Sequence, residues 1–119
     1  MPAILIVDDS PISRKILRRV LPPGAHDIRE CSSGQECLEM YQAVRPDLVF
    51  LDLTMPGLDG FQTLELLKRL DPSAQVIVVT ADVQSGSRAR VLALGAVDII
   101  AKPPSSSAVE AAMKLIPPC

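Results

Sequence analysis

Short apolar runs alternate along the chain with longer stretches whose apolar residues recur at helical spacing. The runs AILIV (3–7), DLVFL (47–51) and QVIVV (75–79) are almost continuously apolar, which suits strands covered on both faces. Two further runs, near 27–31 and 97–101, complete five predicted strands. Helical spacing predicts helices near 11–21, 34–44, 60–70, 86–94 and 107–116. Strict strand–helix alternation predicts an α/β fold of βαβ units, with parallel strands and right-handed crossovers.

Several helix starts are marked by their residues. Ser10 before Pro11 predicts an N-cap with proline at the first helical position. Ser33 with Glu36, Ser107 with Glu110, and Asp59 with Gln62 have the spacing of a capping box. Gly95 is placed to end the fourth helix. The stretch Ser85-Gly86-Ser87 is a weak helix start, since glycine costs about 1 kcal/mol against alanine within a helix.

The 119 residues predict one domain, 1–119, able to bury a core without disulfides or metal. No apolar run approaches the length of a membrane span, and no basic, apolar leader is visible. A net charge of -2 and 3% aromatic residues argue against a nucleic-acid surface. Cys31, Cys37 and Cys119 fit no metal-binding spacing and His26 is the sole histidine, so zinc is not expected and a reduced, cytoplasmic protein is.

The polar residues that interrupt this pattern share one address. Asp8 and Asp9 follow the first strand, Asp52 the third, Thr80 the fourth and Lys102 the fifth. In open α/β sheets, the carboxyl ends of the strands hold the ligand crevice. Three carboxylates gathered there raise one another's pKa unless something neutralises them. A hard divalent cation does so: Mg2+ takes oxygen ligands and needs only one or two carboxylates. Lys102 supplies a second counter-charge. A carboxylate, a lysine, a hydroxyl and magnesium suit phosphoryl transfer, in which a carboxylate can be the nucleophile.

DDS (8–10), DLTMPGLDG (52–60), TAD (80–82) and KPP (102–104), in this order and at strand ends, closely resemble the receiver domain of two-component response regulators. The resemblance spans essentially the whole chain. It implies a flavodoxin-like (βα)5 three-layer sandwich with strand order 2-1-3-4-5. It implies that Asp52 accepts a phosphoryl group from a histidine kinase or histidine phosphotransfer protein. Asp9, Asp52 and the backbone carbonyl of Thr54 would bind Mg2+, with Mn2+ as the alternative ion, and Asp8 would act through water. Thr80 and Lys102 would engage the phosphoryl group, and the Lys102–Pro103 bond would be cis. Thr54 and Asp82 occupy positions that tune dephosphorylation. Ile99 stands where many receivers carry a switching aromatic, so the usual relay lacks its aromatic member. The implied protein is a signalling switch, not a turnover enzyme. Its output is a downstream protein, with no direct nucleic-acid or membrane contact, as a monomer or a weak dimer through the fourth helix, fifth strand and fifth helix.

Blander readings stand beside these. Asp8–Asp9 fit an N-cap with a surface charge, Asp52 a turn, Thr80 a plain strand residue and Lys102 a solvated lysine. Asp59 and Gly60 read as a cap and a turn. Arg14, Lys15, Arg18 and Arg19 read as a solvated helix face or a docking surface for a donor, and Arg88 and Arg90 pose the same choice on the fourth helix. Other classes remain. One is a haloacid-dehalogenase-type phosphatase, whose nucleophile follows the first strand in a D-x-D arrangement, unlike the adjacent acids here. Another is a degenerate receiver or a flavin binder. A last one is a receiver cut from a longer DNA-binding or enzymatic regulator.

Overall fold

A computed structural model describes residues 3–23, 27–55, 57–81 and 85–116. Its elements run β1 (Ala3–Val7), α1 (Pro11–Val20), β2 (Asp27–Cys31), α2 (Gly34–Val44), β3 (Leu48–Leu51), α3 (Gly60–Leu70), β4 (Val76–Thr80), α4 (Ser85–Ala93), β5 (Asp98–Ala101) and α5 (Ser106–Met113). The strands pair in parallel in the order β2-β1-β3-β4-β5. This is the flavodoxin-like arrangement expected from the alternation and the resemblance.

Period-two alternation explains why the central strands read as unbroken apolar runs. Leu5, Val7, Val49, Leu51, Val76, Val78 and Ile99 join Cys37, Tyr41, Leu64, Leu67 and Val91 of α2, α3 and α4 in one core. Their neighbours Ile4, Ile6, Leu48, Phe50, Ile77, Val79 and Ile100 meet Leu17 of α1 and Val109 and Ala112 of α5 in the other. Both faces of the central strands are therefore covered, and their polar neighbours lie at the strand ends. Among the described residues, no helix is long and apolar enough to cross a membrane.

The caps agree with the sequence in part. Ser10 accepts from the Ser13 N–H, with Pro11 at the first helical position. Asp59 and Gln62 form both arms of a capping box. Ser33 accepts from the Glu36 N–H at 3.1 Å, but the Glu36 carboxylate takes the Ser32 hydroxyl at 2.7 Å instead of a backbone N–H. The predicted Ser107–Glu110 box does not form. Ser105 caps α5, accepting from Ala108 N–H at 3.1 Å, because the chain is still extended there (φ -99, ψ 156). The expected helix to residue 116 stops at Met113, and Leu115 and Ile116 close onto carbonyls three residues back. Thr80 lies within β4, paired with Ala101, where the sequence placed it just beyond the strand.

One close approach ties α3 to the end of β3. A Cβ on Gly60 would lie 2.4 Å from the Asp52 carbonyl oxygen and 2.4 Å from Leu53 Cα. Both are backbone atoms and cannot swing aside. The Gly60 N–H also donates to the Leu53 carbonyl at 3.0 Å. Gly60→Ala is therefore expected to destabilise the protein by about 1–3 kcal/mol through overpacking. The urea midpoint should fall, where a plain turn glycine would tolerate the change.

Candidate functional site

The last rungs of the sheet set the site backbone. Asp8 N–H donates to the Cys31 carbonyl at 3.1 Å, Asp52 N–H to the Val7 carbonyl at 3.0 Å, and Lys102 N–H to the Thr80 carbonyl at 2.9 Å. Each rung continues a ladder one step beyond its strand and fixes where a polar side chain leaves the sheet. Since β1 and β3 are neighbours, Asp8 and Asp52 emerge side by side.

Asp8 is 6% and Asp52 4% exposed, whereas Asp9 faces solvent. One carboxylate oxygen from each of the three lies within 4.8 Å of the others. Lys102 reaches over from the end of β5. Its Nζ is 2.7 Å from Asp8 Oδ2, 3.5 Å from Asp52 Oδ2 and 3.4 Å from the Ser13 hydroxyl. Asp8 Oδ1 accepts from the Ser10 N–H at 2.9 Å. Both oxygens of Asp8 are thus engaged.

Asp52 is held more loosely. Burial and the neighbouring Asp8 charge push its carboxyl above the usual carboxylate range, against the opposing pull of Lys102 and the Thr54 N–H. One ammonium does not fully offset two buried carboxylates. The donor set is all carboxylate oxygen, with no thiolate or imidazole, which fits a hard Mg2+ or Mn2+ and not a soft metal.

The other residues singled out by sequence fall as follows. Thr80 is fully buried at the end of β4, and Thr54 is exposed on the loop after β3. The Lys102–Pro103 peptide is cis. Ile99 is buried in the core on the α4 side of the sheet. Cys31 and Cys37 are buried beside each other, and hydrogen bonding between them together with burial pushes the Cys37 thiol up. Asp82, His26 and Cys119 lie outside the described residues.

Two features escaped the sequence reading. A pocket of about 190 Å³ runs beneath the carboxylates, lined by Ile16, Leu17, Phe50, Val79, Pro103 and Pro104 among others. Nothing in the local pattern marks it, because its walls come from five separate segments. The basic face of α1 is also not uniform. Arg14 and Arg18 both pair with Glu30 of β2, whereas Lys15 and Arg19 of that cluster form no ion pair among the described residues.

Fold and site together define a doubly wound α/β protein whose strand-end crevice gathers three carboxylates and a lysine, a set compatible with a hard cation. The response regulator receiver domain model matches residues 4–114, and the chain belongs to that family. The chemotaxis protein CheY of Thermotoga maritima is 32% identical over 114 residues, covering 95% of each chain. The protein-glutamate methylesterase/protein-glutamine glutaminase of Treponema pallidum is 39% identical over 105 residues, 85% of this chain but 26% of that protein. A crystal structure of a CheX–CheY–BeF3–Mg2+ complex from Borrelia burgdorferi has a TM-score of 0.87 at 30% identity, over 93% of this chain and 85% of that one. The chain is a CheY-like receiver of phosphorelay signalling. Receivers of this family are in general switches, and enzymatic relatives such as the methylesterase carry their chemistry in other domains.

The geometry makes Lys102 the counter-charge for both buried carboxylates. Lys102→Met keeps the chain length and removes the charge. It should cost about 2–3 kcal/mol, less than the about 3–5 kcal/mol of a fully buried pair because Lys102 is 22% exposed. Urea unfolding without divalent metal measures this, and an unchanged midpoint would contradict the pairing.

Proposed function

We propose that this receiver is a phosphoacceptor switch in which Asp52 takes a phosphoryl group from a histidine kinase or histidine phosphotransfer protein. Asp52 is singled out by how its neighbours are held. Both Asp8 oxygens are engaged and Asp9 lies at the surface, while Asp52 is buried with its nearest cation at 3.5 Å. An Asp52 oxygen attacks phosphorus, the N–P bond of the donor's phosphohistidine breaks, and imidazole leaves with the electron pair. Asp9, Asp52 and the Thr54 carbonyl would hold Mg2+ or Mn2+, with Asp8 assisting through water, and the ion when bound would supply charge neutralisation for the phosphoryl oxygens. Lys102 then shifts from Asp8 toward a phosphoryl oxygen, and the Thr80 hydroxyl donates to another. Attack by water later restores the carboxylate, with Thr54 and Asp82 placed to tune its approach. The domain thus catalyses only its own phosphorylation and dephosphorylation.

The donor docks over α1 and the turn between β5 and α5. Ile12 is 73% and Ile16 36% exposed, one helical turn apart, and Ile16 borders the pocket under Asp52. An apolar anchor on the donor fits there and brings its histidine to the carboxylate. On the output side, a downstream protein binds the phosphorylated state better and shifts the population. Residues 1–119 act as one receiver unit in the cytoplasm, as a monomer or a weak dimer through α4, β5 and α5.

Incubation with acetyl phosphate and Mg2+, followed by intact-mass analysis, tests the assignment. Wild type should gain one labile phosphoryl group, and Asp52→Asn or omission of metal should abolish it. An adduct of equal yield on Asp52→Asn would refute Asp52 as acceptor. If no adduct is seen, beryllofluoride binding separates rapid hydrolysis from loss of the chemistry.

A further inference from the structure

Asp9 is the exposed member of the acidic trio, and among the described residues no hydrogen bond or ion pair holds its carboxylate. Its direction is set by its backbone alone. The Asp8 carboxylate, by contrast, is held by Lys102 and the Ser10 N–H, and that of Asp52 faces Lys102 at 3.5 Å and the Thr54 N–H. The peptide joining Asp8 to Asp9 is gripped at one point. Arg14 Nη1 donates to the Asp8 carbonyl oxygen at 2.6 Å. The same guanidinium donates through Nε to Glu30 Oε1 at 2.7 Å. The second Glu30 oxygen pairs with Arg18. The Arg14 side chain is only 16% exposed.

We propose that Arg14, oriented by Glu30, is a positioning residue for the metal site: it fixes the Asp8–Asp9 peptide plane and thereby aims the otherwise unheld Asp9 carboxylate. This rests on the proposed metal-binding role of Asp9. A guanidinium suits the task because its planar fork reaches two acceptors in fixed geometry, whereas a lysine ammonium is a single point that reaches one. Partners that orient ligands from behind typically change metal affinity by about 10–100-fold when removed.

Electrostatics alone predicts the opposite sign, which makes the idea sharp. Arg14 is a cation near a cation site. If it acted only through its charge, Arg14→Gln would tighten Mg2+ binding. If it positions Asp9, Arg14→Gln weakens it.

Calorimetric titration of Mg2+ into wild type, Arg14→Gln, Arg14→Lys and Glu30→Gln decides. The expected result is a dissociation constant raised about 10-fold in Arg14→Gln, partly restored in Arg14→Lys, and raised less in Glu30→Gln. The carbonyl 13C shift of Asp8 in metal-free protein gives an independent reading. It should move out of the hydrogen-bonded range in Arg14→Gln. Unchanged or tighter Mg2+ binding would overturn the proposal, even if the variant melted lower, because a strut between α1 and β2 alone would behave that way. If wild type binds no Mg2+, the metal reading of the site fails, and the positioning role fails with it as a statement about metal. The Asp8 shift then still shows whether Arg14 grips the peptide. Arg14→Lys serves both measurements if Arg14→Gln does not fold.

Discussion

Two buried carboxylates share one ammonium at the ends of adjacent parallel strands, and much of the molecule is arranged around that imbalance. Strand order brings it about. With β1 beside β3, Asp8 and Asp52 leave the sheet next to each other, one rung beyond Val7 and Leu51. Lys102 comes from β5, two strands away from β3, and crosses the sheet end to meet them. Like charges held in a low-dielectric edge raise each other's pKa, and here burial and Asp8 outweigh Lys102 at Asp52. Local packing prevents escape: Gly60 lets the start of α3 press against the Asp52 backbone. The frustration is held by a rigid frame, and a cation or a proton at this edge would relieve it.

Relief at this edge can travel because the same residues belong to the sheet. Thr80 is paired with Ala101, and the Lys102 N–H is bonded to the Thr80 carbonyl, so the ends of β4 and β5 form one unit. Ile99 lies in that unit, buried against the α4 side. An aliphatic side chain there has no polar edge to present to solvent, so a large in-and-out rotation gains it nothing. α4 instead meets α3 through Arg90 stacked over the Phe61 ring at 3.9 Å, and meets β5 through Arg88 and Asp98 at 3.4 Å. These two contacts, together with Val91 packed in the core beside Leu64 and Ile99, tie α4 to α3 and β5.

Much of this was legible in the sequence. Unbroken apolar runs marked the central strands, because a sheet covered on both faces leaves no polar positions within them. The placement of Asp8, Asp9, Asp52 and Lys102 after those runs marked the functional edge. Other features were hidden for physical reasons. Three consecutive serines, Ser105, Ser106 and Ser107, stand at the start of α5, each a competent cap, and backbone geometry made Ser105 the cap and left the other two inside the helix. Thr80 is β-branched, and nothing in its composition separates the last strand residue from the first loop residue. The arginines of α1 read alike, yet Arg14 and Arg18 are drawn to Glu30 across a gap in sequence that no helical spacing reveals. The grip of Arg14 on the Asp8 carbonyl involves a backbone atom, and backbone acceptors carry no residue signature.

The central claim, that Asp52 is a charge held against its preference until a cation arrives, is tested most directly by melting wild type and Asp52→Asn with and without Mg2+ at neutral pH. A group whose folded pKa is raised costs stability once pH lies above it, so neutralising it should stabilise the metal-free protein. Asp52→Asn should therefore melt several degrees above wild type in EDTA, and Mg2+ should raise wild type while leaving the variant nearly unmoved. A variant that melts below wild type in EDTA, with Mg2+ raising both equally, would contradict the account.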